Sequence, residues 1–401
     1  MSETSGRTYI ETHPWLTFQL DLRNASARFW LLLGETKSKC EHIEYVPLTE
    51  AVALEMHEMY FARGVLATAA IEGNTLSEDE VRRRMRGQLR LPLSKEYLGV
   101  EIDNMLNAYN DVLAALRRDE HPVLSIQTLC SLNEQVLKGL ALEDGVVPGR
   151  IRENRVGVGG YRAPDGGSVV RTLLERLCAW LNGPDFRPPD DSQQVPYAFI
   201  RAVVAHIYLE WIHPFGDGNG RLGRLVEFLI LVSSGVPTPA AHLLSSHYMA
   251  TRTAYYRQLA QASGNGGDLR PFLLYAAQGM VDGLAEQIKR LHKQQELLMW
   301  RAIVDEEFHE RQTPAAHRQR LLAIELSNHK GVRRADVRHL STPLADCYSG
   351  KTSKTVTRDL NRLAELGFVR LQPGGDGVRA NLAKVRGMRP FKAESSDPKV
   401  S

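Results

Sequence analysis

Apolar side chains recur at intervals of three and four along most of this chain, the spacing that gathers them on one face of an α-helix. The pattern predicts helices over residues 50–71, 95–118, 124–140, 171–181, 197–213, 221–232 and about 246–262. Residues 15–39 are mixed but apolar enough to pack. Residues 271–310 read as a long, charge-rich helical stretch, with Gly279 and Gly283 as candidate breaks. One segment departs from the rule. Across residues 152–170, RENRVGVGGYRAPDGGSVV, Val, Gly and Tyr alternate while Pro164, Asp165 and Gly166 supply turn chemistry, so a short β-hairpin is expected. No repeat at solenoid period is visible. The expected fold class is mostly α.

The last part of the chain changes character. Residues 316–327, 331–340 and 353–366 have helical periodicity, and the third run stops at Gly367. Phe368-Val-Arg-Leu-Gln then passes through Pro373-Gly-Gly-Asp-Gly to Val378-Arg-Ala-Asn, the pattern of a hairpin. Helices followed by a hairpin resemble a winged helix, a small α/β domain expected over residues 314–387. Charge sharpens this division. The chain carries a net +3, yet residues 314–393 hold 16 Lys and Arg against 6 Asp and Glu, leaving an acidic remainder. A basic module on an acidic body suggests a partner of its own. In DNA-binding winged helices the start of the third helix, here Ser353, Lys354, Thr357 and Arg358, reaches base edges and phosphates. Protein contact is the other role of such modules, and both stay open. Residues 388–401 are polar and expected to be a disordered tail.

With 401 residues and 43% hydrophobic content the chain can bury large cores, in two or three domains. No run of eighteen apolar residues is present, and the opening MSETSGRTYIETHP lacks the basic and apolar regions of a signal peptide. No membrane partner is expected. Cys40, Cys130, Cys178 and Cys347 lie far apart without metal-binding spacing, and they read as reduced thiols of a cytoplasmic protein.

Candidate chemistry concentrates in residues 213–224, HPFGDGNGRLGR. Proline disfavours helical geometry in the residue before it, so the preceding helix should end at His213 and leave an imidazole at its terminus. Gly216, Gly218 and Gly220 permit a tight loop whose N–H groups can face a phosphate. The next helix, beginning near Arg221, puts its positive N-terminal end under the same anion. Arg221 and Arg224 share a helical face and can reach one polyphosphate. An unperturbed imidazole titrates near ~6.5 and accepts protons at neutral pH. One carboxylate, Asp217, together with substrate phosphates suffices for Mg²⁺.

This stretch resembles the Fic motif, HxFx(D/E)GNGRxxR, at every defining position. The resemblance implies a Fic-type helical catalytic core with a β-hairpin flap over residues 121–280. Residues 1–120 would form a helical region before it and residues 281–313 a linking helix after it. It also implies an enzyme that transfers AMP from ATP to a Tyr, Thr or Ser hydroxyl of a target protein, the protein itself included. His213 would be the general base and Asp217 the Mg²⁺ ligand. Gly218, Asn219 and Gly220 would hold the α- and β-phosphates, Arg221, Leu222 and Gly223 complete the ATP-binding stretch, and Arg224 meets the γ-phosphate.

A second motif precedes the core. Thr68-Ala-Ala-Ile-Glu72-Gly73-Asn74 matches the (S/T)xxxE(G/N) inhibitory signature of many Fic proteins. Thr68 and Glu72 share a helical face, and Gly73 sits where a helix terminates. A carboxylate in a last turn opposes the helix dipole by ~0.3–1 kcal/mol, which invites a cationic partner. The resemblance names Arg224, and pairing would spoil the γ-phosphate site.

The resemblance extends to Val156, Gly157, Val158 and Gly159, which would line the nucleotide while the hairpin binds the target by strand addition. Downstream, Tyr255, Tyr256 and Asn265 match the adenine pocket. A homo-oligomer is expected. His206 and Glu210, four apart, lack the order and third ligand of a zinc site, so His206 reads as a packing histidine. Two alternatives to protein adenylylation stay open: removal of AMP or use of another nucleotide on the same fold, and a DNA-binding regulator whose core senses nucleotide.

Overall fold

The computed structural model describes residues 8–120, 123–158 and 160–386. It divides into two compact units, residues 1–288 and 289–401, each with its own hydrophobic core. Residues 8–120 and the segment after them share the first core. Tyr109, for example, packs edge-on against Phe228 at a ring separation of 4.6 Å.

Most predicted helices form, and where they differ the cause is local. The stretch 15–39 becomes helical only at Ala27–Tyr45, where Ser26 caps the start and Pro47 follows the end. Glu78–Met85, unanticipated, begins with a reciprocal capping box between Ser77 and Glu80. The run 246–262 resolves into Leu243–Ala250 and Arg252–Gly264, separated at Thr251, whose hydroxyl donates to the His247 carbonyl (2.7 Å). By contrast, Arg270–Phe308 is unbroken. Gly279 is a packing site rather than a break, because a Cβ there would lie 2.2 Å from the His247 ring.

The hairpin forms from β1 (Gly157–Val158) and β2 (Tyr161–Arg162), with Val158 opposite Tyr161. Pro164–Gly166, expected as the turn, instead leads to the helix Ser168–Leu181.

In the second unit, Pro314–Ser327, Thr342–Cys347 and Ser353–Glu365 pack with a three-stranded antiparallel sheet. Its order is β3 (Val332–Arg333), β5 (Gly377–Ala380), β4 (Val369–Leu371). The helix expected over 331–340 is replaced by β3 and a 3₁₀ turn at Val337–His339. Pairing of Val332 with the buried Val378 outweighs local helical periodicity. Buried Asp359 is held by Arg318, Gln319 and the Tyr348 hydroxyl at 2.9–3.1 Å.

Candidate active site

Two helices build the site. The stretch Asp191–Ile212 is long enough to cross a bilayer, but 72% of its most apolar eighteen-residue window is buried in this core, so its hydrophobicity serves packing. The helix Gln194–Ile212 stops at His213, which adopts left-handed geometry (φ 49°) before Pro214. The next helix, Asn219–Ser233, starts two residues earlier than expected and follows Gly218 at φ 78°. The loop between them is tied down from inside. Asn219 accepts from Phe215 N–H and donates to Phe215 C=O (both 2.9 Å), so its side chain holds the loop. From outside, Asn133 donates to the Asp217 carbonyl (2.9 Å).

Arg152 fixes the other flank. Its guanidinium donates to the carbonyls of His213, Ile212, Asn154 and Pro164 at 2.6–3.2 Å. All four acceptors are neutral, so its positive charge stays beside the imidazole. Burial and this cation lower the His213 pKa to about 4. The ring is thus neutral at pH 7 and free to accept a proton.

The two arginines have different partners. Arg221 donates to Glu101 (2.8 Å) and to Asp217 Oδ1 (3.0 Å), a carboxylate that also receives Gly218 N–H. Arg224, 1% exposed, donates to Glu72 Oε1 (2.6 Å) and to the Thr68 carbonyl (3.1 Å). Burial disfavours both charges of the pair, but mutual attraction wins. Glu72 is held below the usual carboxylate range and Arg224 above its ordinary value. The Glu72 side chain keeps 35% of its surface exposed, so solvent weakens the pair's contribution to stability.

Glu72 also lies against the start of the second motif helix. A Cβ on Gly220 would approach Glu72 Oε1 to 2.3 Å, so only glycine lets the carboxylate settle there. The helix Glu50–Ile71 ends in a Schellman cap: Gly73 (φ 105°) donates to Ala70 and Asn74 to Ala69 (both 3.1 Å). Asn74 continues to Leu98 C=O and Glu101 (3.0 and 2.9 Å), and Glu101 carries Arg221. Thr68 meets the Tyr109 hydroxyl at 3.1 Å. The Thr68–Asn74 segment is therefore bound to both arginines, to one directly and to the other through Glu101.

A cavity of about 760 Å³ opens beside His213, lined mainly by Trp15, Tyr161, Glu210, Trp211, Tyr256 and Leu259. Tyr256 reaches it; Tyr255 does not. Tyr255 is fully buried, bonded to His206 (2.8 Å) and stacked on Tyr248, which also makes His206 the packing histidine expected. Asn265 caps Arg252–Gly264 on the exposed side and is absent from the lining. Leu222 is likewise displaced from any ligand, since its side chain is in the core and its N–H donates to Gly218 C=O. Gly223 lies under the His206 ring. In the hairpin, Val156 C=O accepts from Ala163 and Gly157 pairs with Arg162, while Gly160 and Tyr161 reach the cavity. Val158 pairs with Tyr161, and Gly159 lies outside the described residues.

Glu101, Asn133, Arg152 and Tyr161 were not anticipated as site residues, since each is an isolated polar group far along the chain from residues 213–224. Glu210 did carry a signal, a lone carboxylate inside an apolar run. Among the described residues no cluster of three potential metal ligands occurs. Asp217 still fits one cation supported by phosphates: its side chain is 48% exposed, and Oδ1 takes the hydrogen bonds from Gly218 N–H and Arg221, leaving Oδ2 for a metal.

Residues 123–231 match the Fic/DOC family. The protein adenylyltransferase fic-1 of Caenorhabditis elegans is 35% identical over 236 residues, 58% of this chain and 42% of that protein. The protein adenylyltransferase Fic of Drosophila ananassae is 30% identical over 55% of this chain and 40% of its own length. This chain thus spans about two fifths of these relatives. Among solved structures, Fic-1 from C. elegans covers 66% of this chain and 73% of its own, with 28% identity and a TM-score of 0.54. A Fic family protein from Desulfovibrio desulfuricans G20 covers 90% and 98%, with 21% identity and a TM-score of 0.55, a likeness of fold.

Proposed function

Residues 123–231 belong to the Fic/DOC family, and from that premise we propose that this protein transfers AMP from ATP to a hydroxyl of a target protein. One observation carries the reading. Twelve residues hold a neutral imidazole that borders the cavity, a helix N-terminus with a carboxylate lying against it, and a buried arginine paired with that carboxylate. In the reaction, His213 takes the proton from a Tyr, Thr or Ser hydroxyl. The freed oxygen attacks the α-phosphorus, the bond to the bridging oxygen breaks, and pyrophosphate leaves. The start of Asn219–Ser233 stabilises the phosphates by its N–H groups and dipole. Arg224, once released from Glu72, meets the γ-phosphate. Asp217 would hold Mg²⁺, which supplies charge neutralisation at the phosphates. The hairpin is the proposed rest for the target backbone. The four cysteines are free thiols, which supports a cytoplasmic setting. Mass spectrometry after incubation of the Glu72→Gly chain with ATP, Mg²⁺ and cell lysate tests the proposal. A protein-bound AMP adduct that disappears with Glu72→Gly/His213→Ala is expected; no adduct on any protein contradicts it.

A second reading concerns residues 314–386 alone, as a DNA-binding winged helix. Arg370 and Arg379 stand directly opposite on β4 and β5, and both are exposed. Like charges so placed repel, which favours an anionic partner. Ser353, Lys354 and Arg358 are exposed on Ser353–Glu365, whereas the Thr357 hydroxyl donates to the Ser353 carbonyl. Duplex binding by the full chain, lost in Arg370→Glu/Arg379→Glu, tests it; unchanged binding would move the contact elsewhere.

A further inference from the structure

Glu210 lies near the end of the first motif helix, three residues before His213, and borders the cavity. Its Oε1 is buried without a hydrogen-bond partner, although buried carboxyl oxygens are rarely left so. The same atom would lie 3.4 Å from a Cβ on Gly223, in the helix that carries Arg224. Glu210 therefore sits where the cavity meets the helix that carries Arg224. Tyr256 and Leu259 supply apolar surface on Arg252–Gly264. A nucleotide has a fixed order of phosphate, sugar and base. With its phosphates on the Asn219–Ser233 terminus and its base against the aromatic lining, its sugar falls at the carboxyl between them.

Resting on the adenylyltransferase reading above, we propose that Glu210 is the specificity residue that binds the ribose hydroxyls of the nucleotide. Two vicinal hydroxyls are donors as well as acceptors, and a carboxyl group meets either pattern. Carboxylates hold ribose in dinucleotide-binding folds by the same chemistry. Burial, offset in part by Arg224 and reinforced by Glu72, raises the Glu210 pKa to about 7. The group thus has both protonation forms available near neutrality.

The test uses the full chain carrying Glu72→Gly, so that the anion site is open, and measures equilibrium binding of ATP, 2′-deoxyATP and 3′-deoxyATP. The chain with Glu210 intact should prefer ATP by about tenfold over at least one deoxy analogue, the scale of one lost hydrogen bond. Glu210→Leu should bind ATP no better than that analogue, whose own affinity should not change. Glu210→Gln should retain part of the preference. Equal weakening of all three nucleotides by Glu210→Leu would mean a purely structural role and overturn the assignment. So would a chain with intact Glu210 that binds all three alike. Binding of none by any variant would instead remove the nucleotide reading on which the assignment rests, which separates the two failures.

Discussion

His213 shows how one residue is tuned by its neighbours. Burial and Arg152 both disfavour the imidazolium, so the neutral base persists to lower pH than in an ordinary histidine. The sign follows directly. The folded value, about 4, lies below the ordinary 6.5, so base function should be lost only as pH falls well under 6. We predict that kcat/KM for AMP transfer, recorded in a Glu72→Gly/Glu210→Gln protein to remove the neighbouring carboxyl titrations, changes by less than about twofold between pH 7.5 and 6. An acidic limb centred near 6.5 would contradict this environment. His213→Ala should cost at least about 10²-fold in rate, the lower range for a positioned general base, with its thermal unfolding unchanged. The sequence displayed this residue and its motif plainly. It did not display Arg152, because a cation acting through four carbonyl contacts leaves no spacing pattern to read.

At the scale of elements, the site depends on how helices end. Glu50–Ile71 stops in a Schellman cap that positions Glu72, and Gly73 at φ 105° is the residue that permits it. Gly73→Ala should destabilise the cap by about 1–2 kcal/mol, through the left-handed penalty for a side chain. A lower thermal midpoint together with raised AMP incorporation is expected. A midpoint equal to wild type would show that the cap does not hold the helix end. Helix ends were legible at Gly73 and at His213–Pro214, where Gly or Pro punctuates a strongly periodic run. They were not where packing decided: Gly279 proved to seat the His247 ring, and Val332 left its predicted helix to pair with Val378. The two tyrosines at 255 and 256 separate for the same reason. The rotation of about 100° between consecutive helical residues points the first into the core and the second into the cavity.

Across the whole molecule, the unit that holds residues 213–224 is joined in sequence to a second unit of strongly basic composition. If residues 314–386 bind duplex DNA, affinity of the full chain should fall steeply with salt, with a log–log slope near −0.9 for each phosphate neutralised. Arg370→Glu/Arg379→Glu should flatten that slope without altering AMP transfer, measured on the same preparations. A slope unaffected by the double change would remove the paired arginines from the interface. The charge asymmetry behind this reading is visible in composition, whereas the opposition of the two arginines required the β4–β5 register.

In the proposed reaction, the Glu72 carboxylate occupies Arg224 and lies against the helix N-terminus that ATP phosphates would need. Incorporation of labelled AMP into protein, compared at equal concentration for wild type, Glu72→Gly and Glu72→Gly/Arg224→Ala, tests it most directly. Losing one charge-assisted hydrogen bond of about 1.5–3 kcal/mol from the inhibited state corresponds to roughly tenfold to a hundredfold activation. Glu72→Gly should therefore label at least about tenfold faster than wild type, and the double variant should not label at all. Incorporation by Glu72→Gly no greater than wild type, or activation that survives Arg224→Ala, would contradict the claim.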